Sequence, residues 1–218
     1  TARYCAVISG ECDRMDAQIQ QLLELSRLEN EQMKPELRAF PVRGLFQTLS
    51  ERFAREAEQL LDSARKDVAS VLNAKPDEIV FTGGGSESDN MALRGAVAAN
   101  KKKGKHVITS AVEHHAVLYT LQAMEREGLI DLTILPVDEY AVVSAESVAN
   151  ALRDDTVLVS IMFANNEVGT INPIAEIGKV CRDKGVLFHT DAVQATGHVP
   201  IDVVKMNIDM LSVSAHKF

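Results

Sequence analysis

From about residue 58 onward, short runs rich in β-branched residues alternate with amphipathic stretches of helical spacing. This pattern restricts the fold more tightly than any other feature of the chain. The runs are EIVFT (78–82), KHVIT (105–109), LTILP (132–136), TVLVSIM (156–162), VLFHT (186–190) and DMLSVS (209–214). Between them lie segments such as SDNMALRGAVAANKKK and IAEIGKVCRDKG, with helical spacing and a glycine stop. Alternation of this kind predicts an α/β fold, a mostly parallel sheet with helices on both faces. Nothing repeats at a fixed period, which argues against a solenoid.

Residues 1–57 are of a different kind. Ile8, Cys12, Met15, Ile19 and Leu22 alternate steps of four and three, the spacing of a heptad seam, and Pro35 and Pro41 interrupt the pattern. A second, short helix is predicted from Val42, over VRGLFQTLSERFAREAEQ. The division expected is a helical segment at 1–57 and an α/β domain at 58–218.

Charge narrows the function classes. The net charge is -8, against the clustered Lys and Arg that phosphate backbones require, so no nucleic-acid partner is expected. The run KKKGK (101–105) reads as a solvated helix end stopped by Gly104. The longest apolar run, TVLVSIMFA (156–164), is far short of the ~20 residues of a membrane helix, so no membrane partner is expected. Cys5, Cys12 and Cys181 form no metal-ligand spacing and no even framework. With no signal-peptide pattern at the start, the expectation is a cytoplasmic protein without a metal.

In open α/β sheets ligands bind outside the carboxyl ends of the strands. Past five of the predicted strands lie GGGSESDN, SAVEHH, FANNE, DAVQ and SAHKF, while LTILP leads to no reactive group. The glycine cluster is either a plain strand-to-helix turn or an anion cradle, in which Ser86 opens a helix whose free N–H groups favour phosphate. Asp191 is either a helix N-cap or a functional carboxylate. His114 taken alone is an ordinary polar residue, and Lys217 alone a solvated charge. Together they are the parts that hold pyridoxal 5'-phosphate. A lysine bonds its aldehyde, an aspartate keeps its ring nitrogen protonated, an imidazole stacks on the ring, and a helix start takes the phosphate.

The runs EIVFTGGGSESDN, EHHAVL, RDDTVLVSIMFANNEVGT, FHTDAVQATGHVPID and SVSAHKF closely resemble the large domain of cysteine desulfurases. These are class V members of the fold type I aminotransferase superfamily. The resemblance covers about three quarters of the chain, from about Glu58. It implies that Lys217 carries the cofactor, that Asp191 pairs with its ring nitrogen, and that His114 stacks on the ring and helps move protons. Asn166 and Gln194 would lie near the ring's phenolic oxygen, and Gly85, Ser86, Ser214 and His216 would hold the phosphate. The family takes sulfur from L-cysteine, leaving L-alanine and a persulfide on an enzyme cysteine, and supplies an iron–sulfur scaffold protein; a homodimer is its usual state. The family also has a segment beyond the lysine that supplies the nucleophilic cysteine and an arginine for the substrate carboxylate, with no match here. Cys181 falls on a predicted helix away from the strand tips and is read as structural. The chain is therefore expected to have the cofactor pocket and impaired turnover.

Residues 9–57, through RMDAQIQQLLELSRLE, resemble the dimerisation helix and linker of a sensor histidine kinase. The phosphoacceptor histidine is missing, since the first histidine is His106. A composite of two families is expected. The alternatives are a non-catalytic helical scaffold, or another class V lyase or transaminase using the same cofactor.

Overall fold

Parallel strands must be joined by crossovers that traverse a face of the sheet, so they come with helices on those faces. The computed structural model, which describes residues 15–16, 18–23, 26 and 42–217, shows this arrangement. Cys5, Ile8, Cys12, Pro35 and Pro41, and with them most of the proposed seam, lie outside the described residues. Met15, Ile19 and Leu22 are helical and exposed. The chain divides into two compact units, Thr1–Arg55 and Glu56–Phe218.

The first long helix, α1 (Val42–Leu72), runs well past the short helix expected over 42–59. Beyond Gly44 no glycine or proline interrupts it, so nothing breaks the ladder at the expected end. It ends where Asn73 adopts a left-handed conformation at φ 57°, and the Ala74 N–H returns to the Ala69 carbonyl at 2.9 Å. There follow α2 (Gly85–Asn100), β1 (His106–Ser110), α3 (His115–Arg126), β2 (Asp131–Leu135), α4 (Ala145–Ala151), β3 (Thr156–Ser160), α5 (Ile174–Lys184), β4 (Leu187–Asp191) and β5 (Met210–Ser212).

The five strands pair in the order β2-β1-β3-β4-β5, all parallel. Their side chains alternate between two cores. Ile108, Val159 and Phe188 pack on one face with Val148 of α4 and with Ile177 and Cys181 of α5. Val107 and Leu158 pack on the other with Leu93 and Val97 of α2 and with Val117 and Leu121 of α3. β1 and β3 are buried along their whole length, which is why their sequences read as unbroken apolar runs. Gly178 lets α5 lie against the loop before β5, because a Cβ there would sit 2.0 Å from the Met206 carbonyl oxygen.

The run at 78–82 is not a strand, contrary to expectation. Pro76–Glu78 form a short 3-10 turn, and residues 79–82 join no sheet. Side chains that favour a strand stabilise one only where a neighbour completes the hydrogen-bond ladder. None of the described strands lies beside this run. It faces the outer edge of β5 across a cleft of about 630 Å³ lined by Ile79, Val80, Met210 and Leu211. The basic run ends α2 as expected, with Lys105 paired to Asp131 at 2.9 Å and Lys103 donating to the Gly185 carbonyl.

Candidate active site

The carboxyl ends of β1, β3, β4 and β5 converge with the start of α2 on a second cleft of about 310 Å³. Every residue singled out from the sequence lines it: Gly85, Ser86, His114, Asn166, Asp191, Gln194, Ser214, His216 and Lys217. Asp89, Met162, Ala164 and Val193 line it too, and sequence reasoning missed them. β2, whose end was expected to carry nothing reactive, contributes nothing.

Each side chain is placed by its local sequence. No side chain caps the N-terminus of α2: Gly84 occupies the capping position, so backbone N–H groups at Gly85 and Ser86 are left to the cleft. A Cβ on Gly85 would press on Val193 at 3.2 Å, with Ser214 in ordinary contact at 3.5 Å, so glycine permits this close approach to Val193. His114 caps α3, its Nδ1 accepting the Ala116 N–H at 3.1 Å, which fixes the ring at the cleft wall. The two asparagines of FANNE divide their work. Asn165 is buried and ties the loop, donating to the Val112 carbonyl and accepting from the N–H groups of Glu167 and Val168, whereas Asn166 is the one at the cleft. Asp191 ends β4, and its Oδ1 accepts the Val193 N–H at 3.0 Å. The last described turn brings Ser214, His216 and Lys217 together, with Ser214 Oγ 2.9 Å from His216 Nδ1.

Three carboxyls at the cleft are buried: Asp89 and Asp191, which line it, and Glu113 beside His114. Burial raises the pKa of Asp191, opposed by the Val193 N–H and by nearby His114. Asp89, on the buried face of α2, is pushed up to about 7, first by burial and then by the charge of Asp191. Glu113 is pushed up to about 8 by burial, against the hydrogen bonds it accepts. Its Oε1 takes the Ser110 hydroxyl at 2.6 Å and the Met162 N–H at 2.9 Å, while Oε2 has no partner among the described residues. With a value of about 8 the acid is mostly neutral at pH 7. His189 stands 3.7 Å from Asp89, yet burial takes its pKa down to about 4. At neutral pH it is uncharged, so the contact is no ion pair.

A lysine, a buried aspartate, a histidine at the wall and an anion-ready helix start at the ends of a parallel sheet narrow the fold family, and the sequence comparisons decide it. Residues 41–218 match the family described as Aminotransferase class-V. The chain belongs to that family. It is 58% identical over 166 residues to a cysteine desulfurase, IscS, of Clostridium botulinum, covering 76% of this chain and 42% of that one. Its identity to the Methanosarcina thermophila cysteine desulfurase IscS is 56% over 164 residues, covering 75% and 40%. Among solved structures it resembles SspA in complex with cysteine, with TM-score 0.72 and 43% identity, covering 75% of this chain and 47% of that one. A NifS-like protein gives TM-score 0.72 at 40% identity, covering 76% and 46%. The chain thus spans about two fifths of the length of these curated relatives.

Cys181 is not at the class-V cleft. It is fully buried in α5, with its thiol pushed up to about 12 by burial and by Asp209. A thiol in that state supplies almost no thiolate at neutral pH. Cys181 should therefore resist iodoacetamide at pH 8 in the folded chain and react once urea unfolds it. Peptide mass spectrometry reads the difference, and equal labelling in both states would contradict the buried reading.

Proposed function

We propose that the chain is the cofactor-holding part of a pyridoxal-phosphate-dependent cysteine desulfurase, which takes sulfur from L-cysteine and leaves L-alanine and a persulfide for iron–sulfur assembly. The single observation that carries this is the convergence of Lys217, Asp191 and His114 with the uncapped start of α2 in one cleft. The names of the relatives support the substrate class.

The donor set fits the cofactor. Its phosphate matches the free N–H groups at Gly85 and Ser86 and the polar side chains of Ser86, Ser214 and His216. The buried Asp191 carboxylate has no lysine or arginine partner among the described ion pairs, and a protonated ring nitrogen would supply its missing countercharge. When bound, the cofactor supplies an electron sink for charge that develops on the substrate's carbons. Lys217 would hold it covalently and Asp191 would keep the ring nitrogen protonated. His114, its Nδ1 engaged by Ala116, would cover the ring and present Nε2 for proton movement. Asn166 and Gln194 would orient the ring's oxygen substituent.

The acceptor would be an iron–sulfur scaffold protein and the working state a homodimer, in keeping with the family, and a cytoplasmic setting accords with both. No helix of the described residues is long and apolar enough to cross a membrane. The stretch before residue 58 is read as a distinct helical segment carried ahead of the α/β domain.

Adding pyridoxal phosphate to the purified chain should produce a visible absorbance band that Lys217→Ala abolishes. A band of equal strength in that variant, or none in the wild type, would sink the reading in favour of a passive scaffold. Alanine released from L-cysteine by a chain extended to the relatives' full length separates a desulfurase from another class V lyase or transaminase.

A further inference from the structure

We propose that Asp89 is a positioning residue that holds a proton beside Asp191, so that the cleft confronts the cofactor ring with one carboxylate charge and binds the cofactor only while Asp89 is neutral. The proposal rests on the cofactor reading above and assigns a role to a residue which that reading leaves unused.

The geometry starts from the phase of α2. Asp89 shares the helix face of Leu93, Ala96 and Val97, so the turn that points these apolar side chains into the core carries a carboxyl in with them. It ends up 1% exposed. One ligand-type atom each of Asp89, Asp191 and His114 lie within 4.8 Å of one another, and Asp89 lines the cleft with the other two. Its Oδ1 has no hydrogen-bond partner among the described residues.

The last turn brings Lys217 and His216 to the same cleft, but neither is paired with Asp89 among the described ion pairs, and no cation lowers its pKa. From β4 it meets Asp191 and the buried His189, which is neutral because its ring is desolvated. From β5 it meets the Ser212 hydroxyl, already engaged by Ser88 Oγ at 3.1 Å and by His189 Nε2 at 3.0 Å. From the turn before α3 come His114 and the buried Glu113. On its own helix the near neighbours are the serines 86 and 88, and Glu87, whose Oε2 is occupied by the Gly83 N–H. Asp191 is the better placed of the two to ionise: its Oδ1 accepts the Val193 N–H and His114 also lowers its pKa, whereas Oδ1 of Asp89 accepts no hydrogen bond from the described residues. Two buried carboxyls this close do not both ionise readily, and the second keeps its proton. Asp191 therefore takes the charge and Asp89 the proton. One carboxylate matches the single charge of a protonated ring nitrogen, and a second would set an unbalanced negative charge in a cleft that must also take the cofactor's anionic phosphate.

Asp89→Asn, which copies the neutral acid in shape, tests this in the full chain by absorbance titration with pyridoxal phosphate between pH 6 and 8.5. Wild type and variant should bind equally at pH 6. By pH 8 the variant should bind about tenfold tighter, because the competent fraction of wild type has fallen to about a tenth. A ratio that stays constant with pH, or a variant that has lost the cofactor at pH 6, overturns the proposal while leaving the cofactor reading intact. Failure of folded wild type to bind at any pH overturns both. A cofactor-free arm checks the proton directly. The melting temperature of Asp89→Asn relative to wild type should climb by roughly 3–4 °C per pH unit from pH 5 to 7, and a flat difference counts against the proposal. If Asp89→Asn does not fold, Asp89→Ser, which also removes the carboxyl, takes its place in both arms.

Discussion

Glu113→Gln is expected to leave the chain as stable as wild type at pH 5 and to make it more stable at pH 9, by on the order of 3–5 kcal/mol. Glu113 is buried and pushed up to about 8, well above its value in an unfolded chain. Between those two values the folded state holds a proton that the unfolded state has released. Its stabilising contribution is thus complete below about pH 4 and is lost as pH rises through 8. Asp89, at about 7, and Asp191, also raised, act in the same direction. His189 works against them, because its depressed value near 4 removes stability as pH falls from 6.5, and the lowered His106 acts the same way. The carboxyls outnumber the two histidines, so wild-type stability should fall as pH rises from 5 to 8, most steeply just above 6.5, where the histidines no longer compensate, and level off beyond 8. Glutamine reproduces the neutral acid, with its oxygen free to accept from Ser110 and Met162. Urea unfolding midpoints at each pH measure both curves. If the variant's profile parallels that of wild type, Glu113 is not the group that holds the proton.

The three carboxyls also mark the limit of what the sequence discloses. The strands of the sheet were legible because parallel strands covered on both faces are written as unbroken β-branched runs, as HVITS and TVLVS are. The run at 78–82 has the same character and is no strand, since composition reports what a segment tolerates and not whether a partner lies beside it. Ser86, His114, Asp191 and Lys217 were found from their position past predicted strand ends, a rule of topology that needs no side-chain geometry, whereas Gly85, Asn166, Gln194, Ser214 and His216 came from the family resemblance; the cleft contains each of them. What they do there is the reading proposed above. Asp89 and Glu113 escaped because a carboxylate in a polar stretch reads as solvated. For Asp89 a signal did exist: it falls four residues before Leu93 and in phase with Val97, on the apolar face of α2. For Glu113 there was none, since only the fold brings the Met162 N–H, from the segment just past β3, to its carboxyl.

Asp191→Asn should separate stability from function more sharply than any other single change. In the cofactor-free chain the wild-type carboxyl is a buried group whose ionisation folding opposes, as its raised pKa records. Asparagine keeps the oxygen that accepts the Val193 N–H and discards the charge. Wild type loses stability here as pH climbs above the unfolded value, and the variant does not, so the empty variant should melt no lower than wild type at pH 7. Binding should move the other way. If the carboxylate is the countercharge of a protonated ring nitrogen, its loss leaves a buried cation unpaired, a defect worth a few kcal/mol. The affinity for pyridoxal phosphate should therefore fall about a hundredfold, with Lys217 still present to bond it. Asp191→Ala would not serve, because it also deletes the acceptor that holds the turn after β4. The two readouts must diverge: equal melting and equal affinity would show that Asp191 only caps its turn, and the charge assigned to the cleft would have to come from elsewhere.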